Sequence, residues 1–278
     1  MQADSQFVEL KIGEDSVQIE YRWVSPARTG TGAIQQTNPP DNYAPFIVFL
    51  HEGLGSVSQW RDFPQAVTDA TGCPALVYSR PGYGQSTSMG DQRWGVDFLH
   101  QQAKQVLPAL FSALGIDAIR QPPCLLGHSD GASIALIYAA CFPDSVRSVI
   151  AMAPHWMVES VTVANIAAAD DAYWNGNLRP RLSRHHKDPD AVFRAWASIW
   201  LKPEFRDWQI ADELGCIRCP VLAIQGQDDE YGTMEQIHGV ARTVPDCVVM
   251  ELHACGHSPQ RDQPDAVIAS IQNLLHAR

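Results

Sequence analysis

The chain has 278 residues, 45% of them hydrophobic and 18% charged, which is enough apolar material for a large core and too little charge for a disordered chain. Acidic residues outnumber basic ones by 31 to 20, and the net charge of -11 is not interrupted by the dense Lys/Arg stripe that a nucleic-acid groove needs. No apolar run approaches the roughly 18 residues of a membrane span, and the N-terminus lacks the basic-then-apolar pattern of a secretory signal. The expectation is a cytoplasmic, soluble protein with no nucleic-acid and no membrane partner. The seven cysteines are scattered and odd in number, which suggests reduced thiols rather than a disulfide framework. Cys216 and Cys219 form one Cys-x-x-Cys, but no second pair or His cluster completes a zinc set, so no metal is expected.

Residues 7–12 and 16–24 alternate between apolar and polar and predict a two-stranded hairpin turning at Gly13-Glu14-Asp15. Residues 25–43, rich in Gly, Thr, Gln, Asn and Pro, predict a surface loop. From Phe46 the texture changes. Short apolar runs at 46–50, 75–78, 124–126, 146–152, 221–225 and 247–252 have the continuous character of strands buried on both faces. Amphipathic stretches at 60–70, 96–114, 132–141, 234–244 and 264–277 alternate with them and predict helices. This order implies an α/β fold, a mostly parallel, doubly wound sheet with helices on both sides.

The alternation breaks between residues 154 and 214, where helical patches occur without a convincing strand. Five of the eight tryptophans (156, 174, 196, 200 and 208) lie there. The segment predicts a helical cap, dividing the chain into a first core part (1–153), the cap (154–214) and a second core part (215–278). The basic run Arg179, Arg181, Arg184, His185, His186 and Lys187 is expected to be a solvated face, or else a site for an acidic substrate.

The chemistry concentrates in Gly127-His128-Ser129-Asp130-Gly131. An apolar strand runs into Gly-x-Ser-x-Gly and then directly into a helix, the setting of a nucleophile elbow, where a sharp turn presents the serine hydroxyl at a helix N-terminus. A serine nucleophile needs a base, and the base needs an orienting acid. Asp228, Asp229 and Glu230 follow the strand at 221–225, and His253 and His257 follow the strand at 247–252, so candidates lie in the order Ser, acid, His at successive strand ends. The small-residue bend Cys255-Gly256 favours His257 as the base, and His253, nearer the strand, is expected to be packed. Asp130 is expected to cap the following helix, with orientation of a substrate amine as the sharper alternative. Gly82-Tyr83-Gly84 follows a strand but lacks the third glycine of a dinucleotide fingerprint.

These motifs resemble the α/β-hydrolase superfamily, in particular its compact members with a helical cap after the sixth strand. Leu50-His51-Glu52-Gly53-Leu54-Gly55-Ser56 is similar to the family's oxyanion loop, Ser79-Arg80-Pro81-Gly82-Tyr83-Gly84-Gln85-Ser86 to its Gly-x-Gly-x-Ser loop, and the elbow to that of valacyclovir-hydrolase-like members with Ser-Asp-Gly. The resemblance places the acid three residues after Gly226 and so selects Asp229. It departs from the family at Glu52, where a glycine is usual. It implies a Ser129-His257-Asp229 triad, an oxyanion hole from the Gly53 and Asp130 amides (with Leu54 as the competitor of Gly53), and substrate contacts at Leu54, His128, Trp156 and Tyr231. It also implies hydrolysis of a small-molecule ester, thioester or lactone without a cofactor; a homodimer is a possible assembly. A carbon–carbon bond hydrolase, an amidase, a cofactor-free haloperoxidase and a non-catalytic ligand receptor are the alternatives.

Overall fold

A computed structural model of the chain describes residues 5–27, 45–88 and 95–276; most of the loop expected at 25–43 lies outside them. An N-terminal hairpin, β1 (Gln6–Ile12) and β2 (Asp15–Val24), opens the chain, and Asp15 pairs with Ile12 rather than belonging to the turn. Then follow β3 (Ile47–Leu50), a 3-10 turn at Val57–Trp60, α1 (Phe63–Thr71), β4 (Ala75–Tyr78) and α2 (Phe98–Gln101). The helix expected at 96–114 is interrupted, because α2 passes through one π turn at Gln102–Val106 into α3 (Leu107–Ala113). Beyond it come β5 (Cys124–His128), α4 (Asp130–Cys141) and β6 (Ser148–Met152).

The segment after β6 is helical: α5 (Ser160–Trp174), α6 (Leu178–Leu182), α7 (Pro189–Trp200) and α8 (Ala211–Leu214). An isolated antiparallel bridge between Met157 and Gln209 ties its two ends together. The chain then closes with β7 (Val221–Gly226), α9 (Glu235–Thr243), β8 (Cys247–Leu252), α10 (Pro259–Asp262) and α11 (Pro264–His276).

The eight strands form one sheet in the order β1-β2-β4-β3-β5-β6-β7-β8. The β1–β2 and β2–β4 pairs are antiparallel and all later pairs are parallel. Successive side chains of a strand point to opposite faces, and β3 shows the consequence: Val48 and Leu50 join the core on one face, Ile47 and Phe49 the core on the other. Both faces being covered, its four residues are apolar without alternation. α1 and α11 cover one face. In α11, Val267, Ile271 and Leu275 are buried while Ile268 and Leu274 pack at the margin. α4 is enclosed on all sides, which explains its lack of a polar face.

The topology brings the loops after β3, β4, β5, β6, β7 and β8 to the carboxyl edge of the sheet, where open α/β sheets gather their sites. Among the described residues no helix is long and apolar enough to cross a membrane.

Candidate active site

Ser129 stands between β5 and α4 with φ 54° and ψ −120°. A non-glycine residue at positive φ costs on the order of 1–3 kcal/mol and persists only where its surroundings hold it. Here the Ser129 amide donates to the Met152 carbonyl at 2.9 Å, fixing the turn to β6. The flanking glycines are demanded by close approach: a Cβ on Gly131 would lie 2.0 Å from the Leu50 carbonyl oxygen, and one on Gly127 2.3 Å from that of Gly131. Among the described residues, Ala153 and Ala254, at the ends of β6 and β8, also adopt positive φ, so backbone strain collects around this edge.

His257 Nε2 accepts from the Ser129 hydroxyl at 3.0 Å, and its Nδ1–H donates to Asp229 Oδ1 at 2.8 Å and Oδ2 at 3.0 Å. Asp229 Oδ1 also accepts the Tyr231 amide at 2.8 Å. Burial alone would raise the Asp229 carboxyl, but the hydrogen bond and charge of His257, with the Tyr231 amide, outweigh it and hold it below its ordinary value. The competing acids lie elsewhere. Asp228 is exposed, and exposed Glu230 accepts the His257 backbone amide at 3.2 Å. His253 is exposed, not packed as expected, because its ring leaves the sheet just past β8 on the solvent side.

The loop after β3 faces the elbow. Its Glu52 carbonyl accepts three donors: the Gly55 amide at 3.0 Å, His51 Nδ1–H at 2.7 Å and Arg80 Nη2–H at 2.8 Å. A trans peptide sets N–H opposite C=O, so the Gly53 amide is turned away from that cluster. A side chain at 53 has no room, since a Cβ would lie 2.2 Å from Trp196 Nε1 of α7. The Glu52 carboxylate reaches His128, with Oε2 3.6 Å from Nδ1. Burial pushes its pKa up, but the hydrogen bond and charge of His128 pull it further down, to about 2.

The remaining expected contacts divide. Tyr231 lies beside the His257 imidazole, ring centroids 4.8 Å apart. Leu54 is partly buried against the core and its carbonyl is engaged by His186 of the insertion, the helical segment between β6 and β7. His128 is buried under the histidine loop, where its Nε2–H donates to the His257 carbonyl at 2.7 Å and its Nδ1 side faces the Glu52 carboxylate, with Gln260 Nε2 3.0 Å away. Trp156 donates to the Glu235 carbonyl at 3.1 Å and packs against Gly239 of α9.

Asp130 does not cap α4. It is the first residue of the helix, Ser129 occupies the cap position, and no side chain bonds the free amides there. Its carboxylate turns instead to Arg80, Oδ2 to Nη2 3.6 Å, both side chains 1% exposed. Burial raises its pKa against the lowering by Arg80 and Trp200.

Two residues without a sequence assignment, His155 and Arg80, also stand here, and so does His186, which is buried between two core loops and not on the solvated face expected of the basic run. His155, just past β6, has its ring centroid 5.9 Å from that of His257 and 5.0 Å from Trp200, and burial lowers its pKa to about 3. Arg80 braces the loop after β3. His186 joins the insertion to the core. His155 and Arg80 follow strand ends as Ser129, Asp229 and His257 do, which is a signal the sequence carries; His186 declares itself only through tertiary contacts. Among the described residues, no group of three or more His, Cys, Asp or Glu side chains could hold a metal ion.

The family model described as "Alpha/beta hydrolase family" matches residues 47–270. A proline iminopeptidase of Lactobacillus helveticus is 24% identical over 274 residues, covering 83% of this chain and 90% of that protein. A 2-hydroxy-6-oxononadienedioate/2-hydroxy-6-oxononatrienedioate hydrolase of Comamonas testosteroni is 21% identical, covering 79% and 84%. The solved structure of a thermophilic esterase from Thermogutta terrifontis superposes with a TM-score of 0.72 at 17% identity, covering 99% of each chain.

Proposed function

Because the chain belongs to the alpha/beta hydrolase family and is a hydrolase, we propose that it cleaves a small ester-like substrate (a carboxylic ester, thioester or lactone) through a covalent acyl-enzyme on Ser129. The observation that carries this reading is the continuous hydrogen-bonded line Ser129–His257–Asp229, with both imidazole nitrogens used in the sense a general base requires. His257 Nε2 takes the Ser129 proton as Oγ attacks the carbonyl carbon. Asp229 holds the reactive tautomer and stabilises the imidazolium as it forms. The negative charge that develops on the carbonyl oxygen is received by the Gly53 and Asp130 amides, a donor of this kind being worth about 2.7–4 kcal/mol in the transition state. The tetrahedral adduct collapses, the carbon–oxygen (or carbon–sulfur) bond breaks, and His257 returns the proton to the leaving group. Water then repeats the sequence on the acyl-enzyme and frees the acid.

Asp130 beside the nucleophile is buried and turned toward Arg80, 3.6 Å away, and is not open to a ligand, which supports a neutral carbonyl substrate over one anchored by an amine. The test is steady-state hydrolysis of a panel of p-nitrophenyl esters, thioesters, lactones and aminoacyl anilides by the wild type and His257→Ala. Turnover of an ester-like member, lost in the variant, is the expected result; turnover confined to the anilides contradicts the substrate class.

A further inference from the structure

The basic run of the insertion takes no part in the proposed chemistry, yet its end is where the insertion meets the core. His185 Nδ1 and Ser58 Oγ share a hydrogen bond of 2.8 Å, and the Lys187 amide donates to the Gly84 carbonyl at 2.9 Å. Between them His186, buried, bridges two core loops. Its Nδ1 accepts the Gly84 amide at 2.9 Å and its Nε2–H donates to the Leu54 carbonyl at 2.9 Å. Both bonds require a neutral ring with the proton on Nε2. Burial pushes the His186 pKa down to about 4; the Leu54 carbonyl, Glu52 and Glu20 act to raise it and His185 to lower it, so the ring is neutral near pH 7.

Leu54 belongs to the turn whose Gly55 amide closes on the Glu52 carbonyl. With Leu54 C=O drawn toward His186, the trans peptide sends Gly55 N–H the opposite way, onto Glu52. The Glu52 carbonyl is held from the core side by His51 and Arg80, and its direction sets that of the Gly53 amide. The turn therefore has one anchor in the core and one in the insertion.

We infer that His186 is a positioning residue for the oxyanion loop, reaching from the insertion to fix the Leu54 carbonyl and through it the Gly53 amide. This role rests on the acyl-transfer reading above, in which Gly53 is a donor.

The experiment compares His186→Gln and His186→Asn in the full chain, with His185→Ala as control, by hydrolysis of p-nitrophenyl acetate and by thermal unfolding. A glutamine amide reaches the place of Nε2 and can still donate to Leu54; an asparagine oxygen reaches the place of Nδ1 and keeps only the Gly84 bond. The expected result is a kcat reduced about tenfold or more in His186→Asn with KM within about twofold, largely recovered in His186→Gln, and unchanged in His185→Ala. Equal kcat in the Asn and Gln variants of an active wild type, whatever their melting temperatures, would overturn the positioning role. A folded wild type that turns over no ester would overturn the reaction itself, and this role with it.

Discussion

At the scale of single residues, Asp229 is separated from its neighbour Asp228 by burial. The Asp229 side chain is 1% exposed and meets the imidazole, whereas Asp228 faces solvent. Asp229→Asn is expected to lower kcat about 10³–10⁴-fold by favouring the wrong tautomer, with Asp228→Asn within about twofold of wild type. Steady-state kinetics decide it, and a reversed ranking would reassign the acid. Arg80 and Asp130 make a second residue-scale claim. Arg80→Met leaves a carboxylate buried without its counter-charge and is expected to cost about 3–5 kcal/mol by urea unfolding, while Arg80→Met/Asp130→Leu should regain most of that loss. That Ser129, Asp229 and His257 would stand together at the carboxyl edge was legible in the sequence, since strand ends and motif spacing mark them. The Arg80 pairing was not, because nothing local to Asp130 distinguishes a carboxylate that caps a helix from one that turns to a distant guanidinium.

At the scale of elements, the strands were legible because each central strand is enclosed on both faces and so reads as an uninterrupted apolar run. The π turn within residues 98–113 was hidden, since the apolar positions Leu99, Ala103, Val106, Leu107, Leu110 and Phe111 keep a spacing of three and four across it. So was the seating of α7, whose Trp196 comes to rest over Gly53. That contact predicts a coupled pair. Gly53→Ala forces the indole and the helix outward and is expected to lower kcat at least tenfold, whereas Gly53→Ala/Trp196→Ala should lose less than the sum of the two single changes. Strictly additive losses would mean that the insertion does not bear on the loop.

At the scale of the molecule, the carboxyl edge is held together by neutral, buried imidazoles. Burial lowers the pKa of His155 to about 3 and of His186 to about 4, and holds His51 well below 6.5, with Arg80 adding to the effect on His51. A histidine whose folded pKa is depressed contributes stability that is present above its unfolded pKa and is lost as pH falls through the folded one, because the unfolded chain takes up the proton first. Each of the first two groups involves on the order of 3–5 kcal/mol, at 1.36 kcal/mol per pKa unit. Asp130, with its pKa raised, works in the opposite direction as it protonates. Urea unfolding at pH 7.5, 5.5 and 4.5 should therefore show stability falling steadily below about pH 6.5. A curve flat to pH 4.5 would contradict the neutrality of these rings.

Activation of Ser129 as a nucleophile is read out by intact-protein mass spectrometry after treatment with a fluorophosphonate. One adduct is expected on the wild type, mapped to Ser129 and absent from a folded Ser129→Ala variant. No adduct on folded wild type, or an adduct that survives in Ser129→Ala, would contradict it.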